Sequence, residues 1–149
     1  MSARNITVRG IERSKYTVYL KKSEEFHQTM LQAEKERRWN AVGLNAVHCA
    51  ISACDAILVF HLGLRSSSEY HEDAVSLLSS VSNISDAGQK SKTLANILAK
   101  KNLVEYEDRD FLENEAKTLI KITTLYHLLN TCMKLFFITF ILFILYLLK

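Results

Sequence analysis

Polar side chains follow one face of an otherwise apolar segment of the sequence, which runs RWNAVGLNAVHCAISACDAILVF over residues 38–60. If this segment is helical, a step of 100° per residue places its main polar side chains within an arc of about 100°. We call this set the polar stripe, and it consists of Arg38, Asn45, His48, Ser52 and Asp55. An imidazole and a carboxyl group on one helix face could exchange protons or bind a polar ligand. The stripe is therefore the first candidate site.

A polar stripe on a buried helix has to be satisfied, because an unpaired buried polar group costs about 1–3 kcal/mol. Its groups could bond to a neighbouring helix, line a cleft that is open to water and ligand, or face a second subunit. A histidine and an aspartate seven residues apart most often belong to a structural hydrogen-bond network, and least often to a catalytic dyad. The sequence leaves these arrangements open.

The composition favours a helical protein built around this segment. A chain of 149 residues can form one domain with one core, and it contains no proline and only four glycines, which suits long helices. Helical spacing of apolar residues predicts helices over 14–35, 37–62, 71–81 and 89–101, and a last helix that follows Asp110 and reaches about 129. Because helices joined by short loops pack side by side, we expect an all-α, antiparallel up-and-down bundle of four to five helices, with 37–62 at its centre.

Several local signals divide these helices. Gly63 is a plausible stop for the central helix, and the segment NLVEYEDRD, residues 102–110, is predicted to be a connector. Asp110 and Glu113 have the spacing of a capping box, with the aspartate at the N-cap of the last helix. Nothing strand-like is longer than the segments ITVR and YTVYL.

The predicted organisation is an N-terminal arm (1–13), a helical bundle (14–130) and an apolar C-terminal tail (131–149). The tail contains the uncharged run LFFITFILFILYLL, Leu135–Leu148, between two lysines. As a helix this run would reach about 21 Å, short of the roughly 30 Å of a bilayer core. It could contact a membrane, form an oligomer or have no selected role.

Composition also bounds the location and the chemistry. The first residues lack the apolar region of a secretory signal, and the three cysteines have no spacing suited to pairing or metal binding, so we expect a cytoplasmic protein that could be membrane-associated through its tail.

A net charge of +3 is too mild to indicate a nucleic-acid binder by itself. With no P-loop, G-x-G-x-x-G or H-E-x-x-H motif, neither metal nor cofactor is expected. His27, His61 and His127 have no evident partners in the sequence and are predicted to be isolated.

Three segments together resemble the HEPN family of small helical domains. NAVHCAISACDAIL resembles the family's signature second helix, and YHEDAVSLL resembles its short third helix. LAKKNLVEYEDRDFLENEAKTLI resembles the fourth helix, the connector and the start of the last helix. The resemblance extends from about Lys15 to Leu129 and leaves out the tail.

The resemblance implies a usually dimeric helical bundle that handles RNA or nucleotides. Many members are metal-independent ribonucleases, and many are encoded beside minimal nucleotidyltransferases as toxin–antitoxin pairs. The nuclease members carry an R-x(4–6)-H motif, usually with a polar residue after the arginine. In that motif the arginine binds phosphate and the histidine acts on the 2′-hydroxyl or the leaving oxygen, as suits their chemistry.

The chain departs from that motif at the matching position. In KNLVEY, Lys101 stands in place of the arginine, Asn102 is kept, and Tyr106 stands in place of the histidine. Lysine can still bind phosphate, but tyrosine, with a reference pKa of about 10, is a poor general base at pH 7. A second match to the bare spacing, Arg65 and His71 in RSSSEYH, lies in a loop before the third helix.

Three functions follow as hypotheses. The first is a non-catalytic HEPN-like module that binds a nucleotide, RNA or a nucleotidyltransferase partner, as a homodimer. Its binding residues would be Asn45, His48, Ser52, Asp55, Lys101, Asn102 and Tyr106. The second is a metal-independent ribonuclease toxin that uses Arg65 and His71, or His48 with Asp55. The third is a structural dimerisation module anchored by its tail.

Overall fold

A computed structural model describes residues 6–68, 70–82, 84 and 86–147, with side chains as far as Asn130. The protein is mostly helical and carries a small two-stranded sheet. The helices are α1 (Tyr16–Lys35), α2 (Trp39–Leu62), α3 (His71–Ser79), α4 (Ala87–Leu98), α5 (Lys101–Tyr106) and α6 (Glu113–Leu147). The strands are β1 (Val8–Gly10) and β2 (Leu64–Ser66).

Helix α2 is the core of the protein, as its apolar sequence predicts. Its residues from Cys49 to Val59 are buried, except for a partly buried Ile51. Contacts join Tyr16 to Phe60 and Phe26 to His48, so residue numbers rise along α1 as they fall along α2. The two helices therefore run antiparallel, and α1, α4, α5 and α6 all contact α2.

The sheet was not predicted from the sequence. Strands β1 and β2 pair antiparallel with Arg9 opposite Arg65, and the Ile11 N–H donates to the carbonyl of Gly63 over 2.8 Å. Gly63 ends α2 with a φ of 67°, a left-handed conformation that glycine adopts without a steric cost. The expected helix stop is thus confirmed, and the turn it makes brings β2 against the predicted N-terminal arm.

Two details of the C-terminal half were predicted wrongly. Residues 101–106 form helix α5 where a connector was expected, because Leu103 and Val104 pack against the core. The capping box of Asp110 and Glu113 does not form, since the Leu112 N–H donates to Glu115 Oε2 over 3.0 Å. The helix therefore begins two residues later than predicted, and Asp110 accepts instead from Asn40 Nδ2 over 2.9 Å.

The packing of α5 on α2 depends on a glycine. A Cβ at Gly43 would lie 2.6 Å from Val104 Cγ2 and 3.2 Å from Phe111. We expect Gly43→Ala to lower the free energy of unfolding by about 1–3 kcal/mol through overpacking. Gly88→Ala in α4 is the matched control, because its Cβ would meet nothing within 4 Å. The control should leave stability unchanged or raise it by about 0.5–1 kcal/mol in a urea titration. Equal effects of the two changes would show that α5 does not pack there.

Helix α2 is long and apolar enough to cross a membrane by length and composition, and 78% of its apolar window is buried inside the protein, as in a core helix. Helix α6 continues as one backbone helix to Leu147. The side chains of the predicted apolar tail lie outside the described residues, so membrane contact through Leu135–Leu148 stays a prediction. Among the described side chains, Leu125, Leu128 and Leu129 of α6 are each more than half exposed.

Candidate functional site

Part of the polar stripe opens onto a cleft of about 580 Å³ between α1 and α2. Asn45, Ser52 and Asp55 line one wall of this α1–α2 cleft. Helix α1 supplies the opposite wall with Tyr19, Lys22, Glu25, Phe26 and Thr29, and Arg65 reaches the cleft from β2. The structure therefore places these stripe residues together in one cleft. A cleft open to water and ligand was one of the arrangements that the sequence left open.

The acid and the cation of this cleft are paired. Arg65 Nη1 lies 3.3 Å from Asp55 Oδ2, and the guanidinium lies 5.6 Å from the centre of the Tyr19 ring. Burial raises the pKa of Asp55 to about 6, although the charges of Arg65 and Lys22 lower it. Desolvation thus outweighs the favourable charges, so this carboxyl can gain or lose a proton near neutral pH.

The other stripe residues lie elsewhere. His48 is half-buried and stacks on Phe26 with the ring centres 5.2 Å apart. Arg38 precedes the first residue of α2 and pairs with Glu36 over 2.7 Å. The stripe is therefore divided between the cleft, a ring stack and the turn before the helix.

A second cleft, of about 500 Å³, lies between α3, α4 and α5. His71 from the start of α3 lines it together with Lys101 and Asn102 from the start of α5. The sequence had predicted these residues as separate candidates thirty positions apart. The fold brings an imidazole, an ammonium and an amide to one cavity, and we call it the α3–α5 cleft.

The electrostatics of this cleft favour a neutral imidazole beside a fixed cation. Burial lowers the pKa of His71, and the positive charge of Lys101 lowers it further. Lys101 pairs with Glu105 over 2.8 Å and lies 5.3 Å from the centre of the Tyr106 ring. Tyr106 itself is 71% exposed, so it is placed to cover the lysine and not to act as a buried base.

The two candidate catalytic residues are not brought together. Arg65 lines the α1–α2 cleft and is held by Asp55, whereas His71 lines the α3–α5 cleft. An arginine and a histidine that share the bare spacing of a nuclease motif therefore face different cavities. The motif spacing alone does not describe a site here.

A buried polar cluster joins α1 to α6, and it was not predicted from the sequence. His127 is 2% exposed, and its Nδ1 and Nε2 lie 2.9 Å from Ser23 Oγ and 2.8 Å from Glu24 Oε2. His27 stacks on its ring at 4.7 Å and bonds to Thr124. The prediction that these two histidines are isolated is wrong, because their partners lie about a hundred positions away in the sequence.

The described residues form a mostly helical protein in which the α1–α2 cleft lies beside the core helix and the α3–α5 cleft lies between α3, α4 and α5. Within the described part of the chain, no group of three His, Cys, Asp or Glu side chains could hold a metal ion. A scan against protein-family models and searches of curated proteins and of solved structures found no match to this chain.

Proposed function

We propose that this protein is a HEPN-like module that binds RNA or a nucleotide through its phosphates without cutting it. The observation that carries the proposal is the convergence of His71, Lys101 and Asn102 on the α3–α5 cleft. The ammonium supplies charge to a phosphate, and the amide and imidazole supply hydrogen bonds. The resemblance in sequence points to Lys101 and Asn102 for the same ligand.

Further support comes from the way the helices pair. Helix α1 runs antiparallel to α2, and the contacts of Ser23 with His127 and of Arg37 with Glu113 show that it also runs antiparallel to α6. Such pairing is what an up-and-down HEPN-like bundle requires. The absence of cleavage is proposed because Arg65 and His71 line different cavities and because a tyrosine replaces the expected histidine at position 106.

Lys101→Gln should weaken the binding of a short labelled RNA about tenfold or more, since a partly covered cation is lost from the cleft. Fluorescence anisotropy at two salt concentrations measures this effect, and the slope of log affinity against log salt should fall by about one. Lys92→Gln is the matched control, because Lys92 lies exposed on α4 outside the lining of the cleft. Equal affinities of wild type and Lys101→Gln would contradict the proposal.

A metal-independent ribonuclease is the second candidate, because a neutral imidazole beside a cation can act as a general base near pH 7. Labelled RNA would be incubated with the protein in EDTA between pH 6 and about 9. Cleavage that is lost in His71→Ala but kept in His61→Ala would support the enzyme. Intact RNA at every pH would leave binding as the function.

We also propose partners for the protein. A homodimer, a nucleotidyltransferase partner in a toxin–antitoxin pair and membrane contact through Leu135–Leu148 are all compatible with the exposed leucines of α6. Sedimentation with and without the tail tests assembly, since an unchanged particle mass would exclude the tail from it. Vesicle flotation tests the membrane contact separately.

A further inference from the structure

We propose that the α1–α2 cleft is a second binding site, for an organic phosphate monoester whose dianionic head displaces Asp55 from Arg65. The inference concerns a different cavity from the RNA-phosphate site and does not rest on it. Three features of the cleft carry it: a pair of cations, a carboxyl group that pairs with one of them, and side-chain oxygens that make no hydrogen bond within the described residues.

Two cations of the cleft lie beside the same aromatic ring. Arg65 lies 5.6 Å and Lys22 5.7 Å from the centre of the same Tyr19 ring. Both side chains also lower the pKa of Asp55 against the effect of burial, so both charges act on the same carboxyl group, and a dianion that takes its place gains from both. Glu25 also lines the cleft, but it is exposed and lies 3.7 Å from Lys21.

Asp55 occupies the position beside Arg65 that the phosphate would take. Its residue is 6% exposed, and its ion pair with Arg65 joins one nitrogen to one oxygen at 3.3 Å. A phosphate can accept two parallel N–H bonds from a guanidinium and so makes a better partner. The groups that face Asp55 are Arg65 from β2 and Lys22 from α1, and protonation of the displaced carboxyl removes its repulsion of the incoming dianion.

The remainder of the cleft fits the body of a small organic molecule. Ser52 is 8% exposed, and within the described part of the chain no hydrogen bond engages its hydroxyl. Asn45 donates its amide N–H to the carbonyl of Ala41 over 2.8 Å, which leaves its side-chain oxygen to accept from a ligand. Ile51 and Phe26 add apolar surface, and the volume of about 580 Å³ suits a small-molecule site.

The test is isothermal titration calorimetry with adenosine 5′-monophosphate, ribose 5-phosphate, inorganic phosphate and adenosine. We expect Arg65→Gln to weaken binding of the best phosphate monoester about tenfold or more and Lys22→Gln by less, since guanidinium binds phosphate bidentately. Lys35→Gln removes the same charge from the exposed end of α1, outside the lining of the cleft, and should have no effect. Lys101→Gln should also leave this binding unchanged, which separates the site from the α3–α5 cleft.

Two further readouts address the displacement itself. Asp55→Asn should bind more tightly than wild type at pH 7.5, where a purely structural aspartate would give weaker binding. Titrations in buffers of different ionisation enthalpy measure the number of protons taken up on binding. Wild type should take up about one proton per ligand more than Asp55→Asn does.

Binding of both phosphate monoesters supports a sugar-phosphate site, and binding of the nucleotide alone supports a nucleotide site. A 5′-phosphorylated RNA that binds when the free monoesters do not would support a phosphorylated strand end as the source. Equal affinity for inorganic phosphate and the monoesters, equal affinity for adenosine, or full binding by Arg65→Gln would each overturn the proposal.

Discussion

His127→Ala is expected to lower the free energy of unfolding by about 2–4 kcal/mol, because it removes a buried side chain that two partners depend on. The imidazole lies between Ser23 on one side and Glu24 on the other, at 2.9 and 2.8 Å. Ser23 donates its proton to the carbonyl of Cys49 over 3.0 Å, so Nδ1 of His127 has to donate to Ser23. Truncation leaves a cavity and deprives a fully buried hydroxyl of its donor.

The contact with Glu24 contributes a small part of this effect. The Glu24 side chain is 47% exposed. Charged contacts with a side chain so open to water contribute about 0–1 kcal/mol to stability. Chemical denaturation measures the change, with His61→Ala as the matched control. His61 is half-buried at the end of α2 and touches Phe60. A loss for His127→Ala no larger than that for His61→Ala would contradict the described contact between α1 and α6.

Asp55→Asn is expected to raise stability by about 1–2 kcal/mol at pH 7.5, in spite of breaking an ion pair. A carboxyl whose pKa rises from 3.8 to about 6 on folding is destabilised, when ionised, by about 3 kcal/mol. Since the folded state binds the proton more tightly than the unfolded state, stability falls as pH rises from about 4 to about 6 and is constant above. The amide avoids this cost but leaves Arg65 without its charged partner, so only part of the energy is recovered.

Urea titrations of wild type and Asp55→Asn at pH 4, 6 and 7.5 measure the difference. The two curves should approach each other as the pH falls to about 4, where the wild-type carboxyl is protonated in the folded state and close to its own pKa in the unfolded state. An asparagine variant that is less stable than wild type at pH 7.5 would show that the ion pair outweighs the burial. A buried acid that costs stability is more readily explained by a role in binding than by a role in folding.

The helices could be predicted from the sequence because their signals are local. Apolar spacing placed α2 and Gly63 correctly, since helix periodicity and a left-handed glycine depend on neighbouring residues only. Helix α5 was missed because its six residues owe their helical state to packing on the core and not to their own propensity. The sheet was missed because three-residue strands carry too short a pattern to detect.

The candidate sites could be predicted only in part. A helical wheel placed Asn45, Ser52 and Asp55 on one face, and the structure puts them in one cleft. Nothing in the sequence indicated that Arg65 would reach that cleft, because β2 is held there by its pairing with β1. The meeting of His71 with Lys101 likewise depends on the packing of α3 against α4 and α5, a long-range arrangement that spacing along the chain does not encode.

We propose that the α3–α5 cleft receives a nucleic-acid phosphate beside His71. Two-dimensional NMR of the histidine side chains, with a short RNA added in steps, tests it directly. We predict that the ring signals of His71 shift with saturation while those of His61, which lies outside that cleft, stay in place, and that Lys101→Gln removes the shift. A histidine spectrum in which His71 does not respond to RNA at any concentration would contradict the account.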